Sequence, residues 1–246
     1  MSGGVLGIVQ ARAGSTRLPN KVLAPLAGRP LLGLLAERVT PARVDEWWLA
    51  TTAGADDEVT ARWGEALGFR VHRGSVDDVL SRFAAIARAR RPEWIVRITA
   101  DDPFTDAAIV DRLLAAAAAQ PPSVALVEAA GGVLPLGYAP QVARGEAVLA
   151  ADAAATAPHD RAHVLTWVAA NRARTAVPLP PAWPARPAWR WTVDTPDDLA
   201  MAQAAFAAFG PHAATIDYPA MVRVLDGQPA IAVRNAHVRQ KALEEG

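Results

Sequence analysis

Strand-type and helix-type patterns alternate four times in the first 119 residues, and this constrains the fold more than any other feature. The run Val5-Leu6-Gly7-Ile8-Val9 is short and apolar on both faces, as a buried parallel strand should be. After a polar loop from Ala11 to Ala27, a helix is expected from near Pro30, carrying Leu31, Leu32, Leu34 and Leu35. Trp47–Thr51 reads as the second strand. A helix over about 56–67 follows, with Val59, Trp63, Ala66 and Leu67 as its apolar stripe. Phe69–His72 is the third strand, Asp77–Arg90 a helix striped by Val79, Leu80, Phe83, Ile86 and Ala87, and Trp94–Thr99 the fourth strand. Thr105–Ala119 closes the series as a helix capped by Thr105 or Asp106. Such alternation predicts an α/β fold: a mostly parallel sheet with helices on both faces, and a ligand beyond the C-terminal strand ends.

The pattern changes after Val127. Gly131-Gly132 and Pro135-Leu136-Gly137 punctuate short strands, and helices are expected over about 145–155 and 160–171. Prolines and tryptophans then gather between Pro178 and Trp191, a stiff, non-helical stretch. A helix returns at Thr195-Pro196-Asp197-Asp198, with a capping threonine, a first-turn proline and two acids that complement the helix dipole. Leu199, Ala202 and Phe206 form its stripe, and Gly210 its stop. With 246 residues, the chain is expected to form one domain over 1–246, with 128–190 as an irregular α+β excursion that covers the active site or forms a dimer contact.

Twenty-five basic residues balance twenty-five acidic ones, which argues against a nucleic-acid or anionic-membrane partner. The longest apolar run, Leu113–Ala119, is far short of the roughly 20 residues that span a bilayer. No signal-peptide pattern opens the chain and there is no cysteine, so a cytoplasmic location is expected.

Three clusters carry chemistry. Gln10 to Lys21, at the end of the first strand, brings Arg12, Arg17 and Lys21 together with Gly14, Ser15 and Thr16. A triphosphate needs cations to offset its charge and backbone amides at close range, and this loop offers both. It is neither a P-loop nor a dinucleotide fingerprint. The plainer alternative is a solvated basic loop, which placement at a strand end disfavours. Thr99-Ala100-Asp101-Asp102-Pro103-Phe104 follows the fourth strand, so its acids face the same crevice; Asp101 is a candidate magnesium ligand, and Asp102 either a second ligand or a capping residue. In Arg190–Leu199, Asp197 and Asp198 are explained as first-turn charges, whereas Asp194 precedes the cap and is a candidate second carboxylate on the metal.

These motifs, Q-A-R-x-G-S-T-R-L-P-x-K, A-D-D-P-F and W-T-V-D-T-P-D-D-L, resemble the cytidylyltransferase superfamily, which includes the CMP-Kdo and CMP-sialic acid synthetases. The likeness is closest to the spore-coat polysaccharide SpsF-like branch, and R-G-S-V-D-D-V-L-S-R at Arg73–Arg82 and D-R-A-H-V at Asp160–Val164 extend it in register. The resemblance implies a Rossmann-like nucleotidyltransferase fold, a homodimer, and transfer of CMP from CTP to a small acceptor with release of pyrophosphate. It implies nucleotide binding by Ala11, Arg12, Gly14, Ser15, Thr16, Arg17 and Lys21, with Arg73, Ser75, Asp78 and Arg82 near base and ribose. Arg12, Lys21, Asp101 and Asp194 would be catalytic, Asp101 and Asp194 through Mg2+; Tyr138, Gln141, Arg161 and His163 would lie on the acceptor side or at a dimer contact. Where the branch shows P-x-G-x-D-x-E-V, this chain has Ala139 and Gln141 in place of the two acids, which points to a different acceptor. A nucleotide-sugar glycosyltransferase of similar sheet, or a non-catalytic CTP-binding relative, are the competing readings. The first gives no reason for the basic loop, and the second none for both metal acids.

Overall fold

The computed structural model describes residues 4–240. Strand β1 (Val5–Gln10) leads through the basic loop to a two-stranded hairpin, β2 (Pro25–Leu26) and β3 (Arg29–Pro30), and then helix α1 (Leu31–Val39). The chain continues through β4 (Glu46–Thr52), α2 (Glu58–Ala66), β5 (Arg70–Gly74), α3 (Val79–Arg90), β6 (Trp94–Thr99) and α4 (Ala107–Ala118). It then runs through β7 (Val124–Ala129), β8 (Gln141–Arg144), α5 (Gly145–Ala154), α6 (Pro158–His163), α7 (Thr166–Asn171) and β9 (Ala173–Val177). Helices α8 (Pro196–Phe209), α9 (Tyr218–Asp226) and α10 (Pro229–Ala232) close it.

Seven strands form one sheet in the order β5-β4-β1-β6-β8-β7-β9. The first four are mutually parallel, with Ile8 lying between Trp48 and Arg97 across the centre. β8 runs antiparallel to both β6 and β7, and β9 pairs parallel with β7. The expected mostly parallel α/β sheet is therefore present, and the stretch 128–190 supplies two of its strands.

Alternate residues of each strand face opposite sides, and each side has its own core. One packs Leu31, Leu32, Leu34 and Leu35 of α1 with Ile109 and Leu113 of α4 and Phe206 of α8. The other packs Leu80, Phe83 and Ile86 of α3 with Val148 of α5 and Val168 of α7.

Several helices differ in detail from the sequence reading. In α2 most of the expected stripe is the outer face: Val59 and Trp63 are 52% and 38% exposed, and only Leu67, at its end, packs against the core. Thr60, Ala61 and Gly64 are buried instead, because the helix lies too close to the sheet for large side chains; a Cβ on Gly64 would stand 2.4 Å from Leu49 Cδ2. The single helix expected over 160–171 is two, α6 and α7, separated at Val164, whose φ of 66° ends α6. Asp106 rather than Thr105 caps α4, accepting from Ile109 N at 3.1 Å. The hairpin β2–β3 and helices α9 and α10 have no counterpart in the sequence reading.

Candidate active site

Strand ends β1 and β6, the segment 136–137, α6 and the approach to α8 enclose a crevice of about 580 Å3. Its basic wall is pinned from below. Ala11 and Ala13 are buried, Ala11 N–H bonds to Ala50 O, and Ala13 N–H donates to Asp57 Oδ1 at 2.6 Å. Asp57 is itself buried and accepts a hydrogen bond from Thr52 Oγ1. With the alanines facing inward, Arg12 turns outward, and Gly14 has open space where a Cβ would stand. Of the three amides expected to face a phosphate, that of Ser15 is bonded to Ala13 O; those of Gly14 and Thr16 have no internal partner among the described residues.

Asp101 and Asp194 converge on one atom. Lys21 Nζ lies 2.5 Å from Asp101 Oδ2 and 2.7 Å from Asp194 Oδ1, and Arg17 Nη2 lies 3.1 Å from Asp194 Oδ2. Burial by itself would pull Lys21 down, but the two carboxylates outweigh it and hold the ammonium above its ordinary value. Burial would likewise raise Asp194, yet Lys21, Arg17 and Arg190 keep it below the usual carboxylate range. Asp102 does not cap α4: its carboxylate accepts from Thr99 Oγ1 and lines the crevice, and burial together with Asp101 pushes it up to about 7.

Asp194 depends on residues that the sequence reading passed over. Arg190 donates from Nη2 to Asp194 Oδ2 at 2.7 Å and from Nε to Asp198 Oδ1 at 2.9 Å. Asp198, expected to be a simple first-turn charge, is fully buried. It accepts from the backbone of Asp194 and Thr195 and from Asn235 Nδ2. Asp197 is the exposed one, paired with His237. Gly137 packs on this segment: with φ at 91°, a Cβ would meet Thr192 N at 2.4 Å, so only glycine allows the approach.

The structure divides the remaining expected residues into two groups. Arg82 and His163 line the crevice, Arg82 buried with Nη1 on Ala50 O. Arg73 lies outside it, held by Thr52 O, Gly54 O and Glu58. Ser75 accepts from Asp78 N, and Asp78 caps α3 while receiving both Nε and Nη2 of Arg161. Expected nucleotide and acceptor residues thus pair with each other, fastening α6 to the crevice rim. Tyr138 is wholly buried, stacked on Tyr218 at 4.9 Å, and so corrects its expected place on the acceptor side. Gln141 bonds to Arg97, a crevice-lining cation that the sequence reading missed although it interrupts an apolar strand.

The sequence matches the cytidylyltransferase family over residues 6–175. The chain belongs to that family. It is 40% identical to the spore coat polysaccharide biosynthesis protein SpsF of Bacillus subtilis over 117 residues, covering 46% of this chain and 49%, about half, of that protein. It is 31% identical to the uncharacterized protein MJ1063 of Methanocaldococcus jannaschii over 98% of each chain. In fold it is similar to a cytidylyltransferase from Leptospira borgpetersenii, with a TM-score of 0.87 at 23% identity, covering 98% and 99% of the two chains.

Proposed function

We propose that this cytidylyltransferase-family chain transfers CMP from CTP to a small acceptor and releases pyrophosphate, with magnesium held by Asp101 and Asp194. The observation that carries this is the meeting of three things at one point: the end of β1 with its cationic loop, the end of β6 with Asp101, and Asp194 before α8. The donor set fits magnesium, which is commonly held by one or two carboxylates together with substrate phosphates and water. Asp101 Oδ2 and Asp194 Oδ1 already share a single cationic partner, Lys21 Nζ. Bound there, the metal would offset charge on the α-phosphate.

The protein's own groups do the rest. The open amides of Gly14 and Thr16 and the cations Arg12 and Arg17 hold the triphosphate. An acceptor oxygen attacks the α-phosphorus, the bond to the bridging oxygen breaks, and pyrophosphate leaves with the electron pair; the acceptor's proton passes to water in the open crevice. Lys21, released from one carboxylate, offsets charge on the leaving group. No nucleophilic side chain is required, so the protein contributes positioning and charge.

The test is a thermal shift with CTP, UTP, GTP and ATP, each with and without magnesium, followed by pyrophosphate release with a panel of sugar acids. A CTP-selective, magnesium-dependent rise in midpoint is expected. An unchanged magnesium dependence in Asp101→Asn and Asp194→Asn, with CTP binding intact, would remove both residues from the metal. A flat response to all four triphosphates would overturn the reading. Lys21→Met is expected to retain CTP binding and lose about 100- to 1,000-fold in kcat, read by steady-state pyrophosphate release.

A further inference from the structure

Arg97 stands in the middle of β6, between the buried residues Val96 and Ile98. The register sets it beside Ile8 of β1 on one side and Gln141 of β8 on the other. Placing a guanidinium inside a sheet is costly unless something compensates it. Burial does pull this one below its ordinary value, with Asp102 and Asp101 acting the other way. An arginine in such a place is normally paired with a carboxylate, yet none of the described residues brings one within ion-pair distance of Arg97.

Two neutral amides hold it instead. Arg97 Nε donates to Gln10 Oε1 at 3.0 Å and Nη1 donates to Gln141 Oε1 at 3.1 Å. The orientation of Gln141 is fixed in turn, since its Nε2 donates to Glu128 Oε2 at 3.1 Å, and Glu128 pairs with Arg174. The amides aim the guanidinium without cancelling its charge, and the side chain lines the crevice together with Thr99, Asp101 and Asp102. The nucleotide has its own cations on the loop after β1, which is pinned towards β4 through Ala50 and Asp57. Arg97 spans from Gln10 at the end of β1 to β8, its Nη1 on the β8 side.

We infer that Arg97 receives an anionic group of the acceptor, a carboxylate or a phosphate monoester, and that Gln141 sets this preference by aiming the cation without neutralising it. This rests on the cytidyl-transfer reading and carries it to the acceptor's chemistry. Arginine suits the role because its planar fork binds either oxyanion through two parallel hydrogen bonds. A glutamate at position 141 would occupy the same place with a charge of its own and close the site.

The test follows the Nε–H resonance of Arg97, identified by its absence in R97K, in protein saturated with CTP and magnesium. Acetate is added in one series and inorganic phosphate in another. A saturable shift with either is expected; acetate alone indicates a carboxylate acceptor, phosphate alone a phosphate ester. Q141E, nearly isosteric and so expected to fold, should weaken that response roughly tenfold or more while leaving the CTP-induced thermal shift unchanged. A silent resonance with both anions, or an equal response in Q141E, overturns the inference. A loss of the CTP shift in Q141E equal to the loss of the anion response would move Arg97 to the nucleotide and overturn it too. If CTP still stabilises the wild-type chain while Arg97 stays silent, this inference falls alone; if CTP stabilises nothing, the parent reading falls.

Discussion

Asp101 and Asp194 meet at Lys21, but they are held there in different ways. Asp101 is delivered by main chain: Ala100 N–H extends the sheet by donating to Gln10 O at 2.9 Å, and Asp101 O accepts from Val193 N at 2.8 Å. Asp194 sits on an irregular segment and is delivered by side chains, with Arg190 on its carboxylate and Asp198 beneath its backbone. A residue at a strand end inherits its position from the whole sheet. A residue held by a buried ion pair is only as well placed as the few groups around it, and losing one leaves an uncompensated charge.

The largest expected effect breaks that contrast directly. Asp198→Ala removes the acceptor shared by Arg190, Asp194, Thr195 and Asn235, and should cost about 3–5 kcal/mol in urea unfolding as well as turnover. Asp101→Asn should abolish turnover while changing stability by no more than about 1 kcal/mol; equal destabilisation by the two would erase the distinction. Gly137→Ala forces a Cβ into the backbone of Thr192 at a positive φ, and about 3 kcal/mol of stability should be lost, with Asp194 displaced and kcat falling. A change in stability with kcat intact would show that the segment 136–137 does not hold the Asp194 side.

On the other wall, Asp57→Asn leaves one partner of the Ala13 amide and Thr52 hydroxyl weakened. About 1–2 kcal/mol is expected in unfolding, with a rise in KM for CTP and no change in the acceptor's KM. If both KM values rose together, the loop would not be a separate unit. The smallest effect is expected on α2, where Trp63→Ser on the exposed face should shift stability by about 0.5 kcal/mol or less in the same unfolding assay.

The same contrast explains what could be read from the sequence. The β1 loop and the turn after β6 were legible because period-2 and period-3.6 patterns locate strand ends, and strand ends in a parallel sheet locate the ligand. Asp198 was not, since nothing local separates a buried first-turn acid from the exposed Asp197 beside it; the difference lies in Arg190 and in Asn235, 37 residues away. Asp78 and Arg161 sit in two separate motifs 83 residues apart, and only the fold reveals that each satisfies the other. The α2 stripe misled because large apolar side chains outweigh small ones in any hydrophobic pattern, whereas a helix pressed against a sheet selects the small ones. Arg97 did leave a signal, a lone cation between Val96 and Ile98 in an otherwise buried strand.

The strand β8 has a consequence for the order of assembly. It enters between two strands made before it, so β6 and β7, successive in the chain, never touch in the sheet except through these four residues. A growing chain that has just produced β7 already has the basic loop, Asp101 and the four parallel strands, but lacks the wedge that joins them to β7 and β9. Gln141 rides on that wedge and Asp194 lies further on still, so the wall of the crevice that carries the basic loop and Asp101 is made before the wall that faces it.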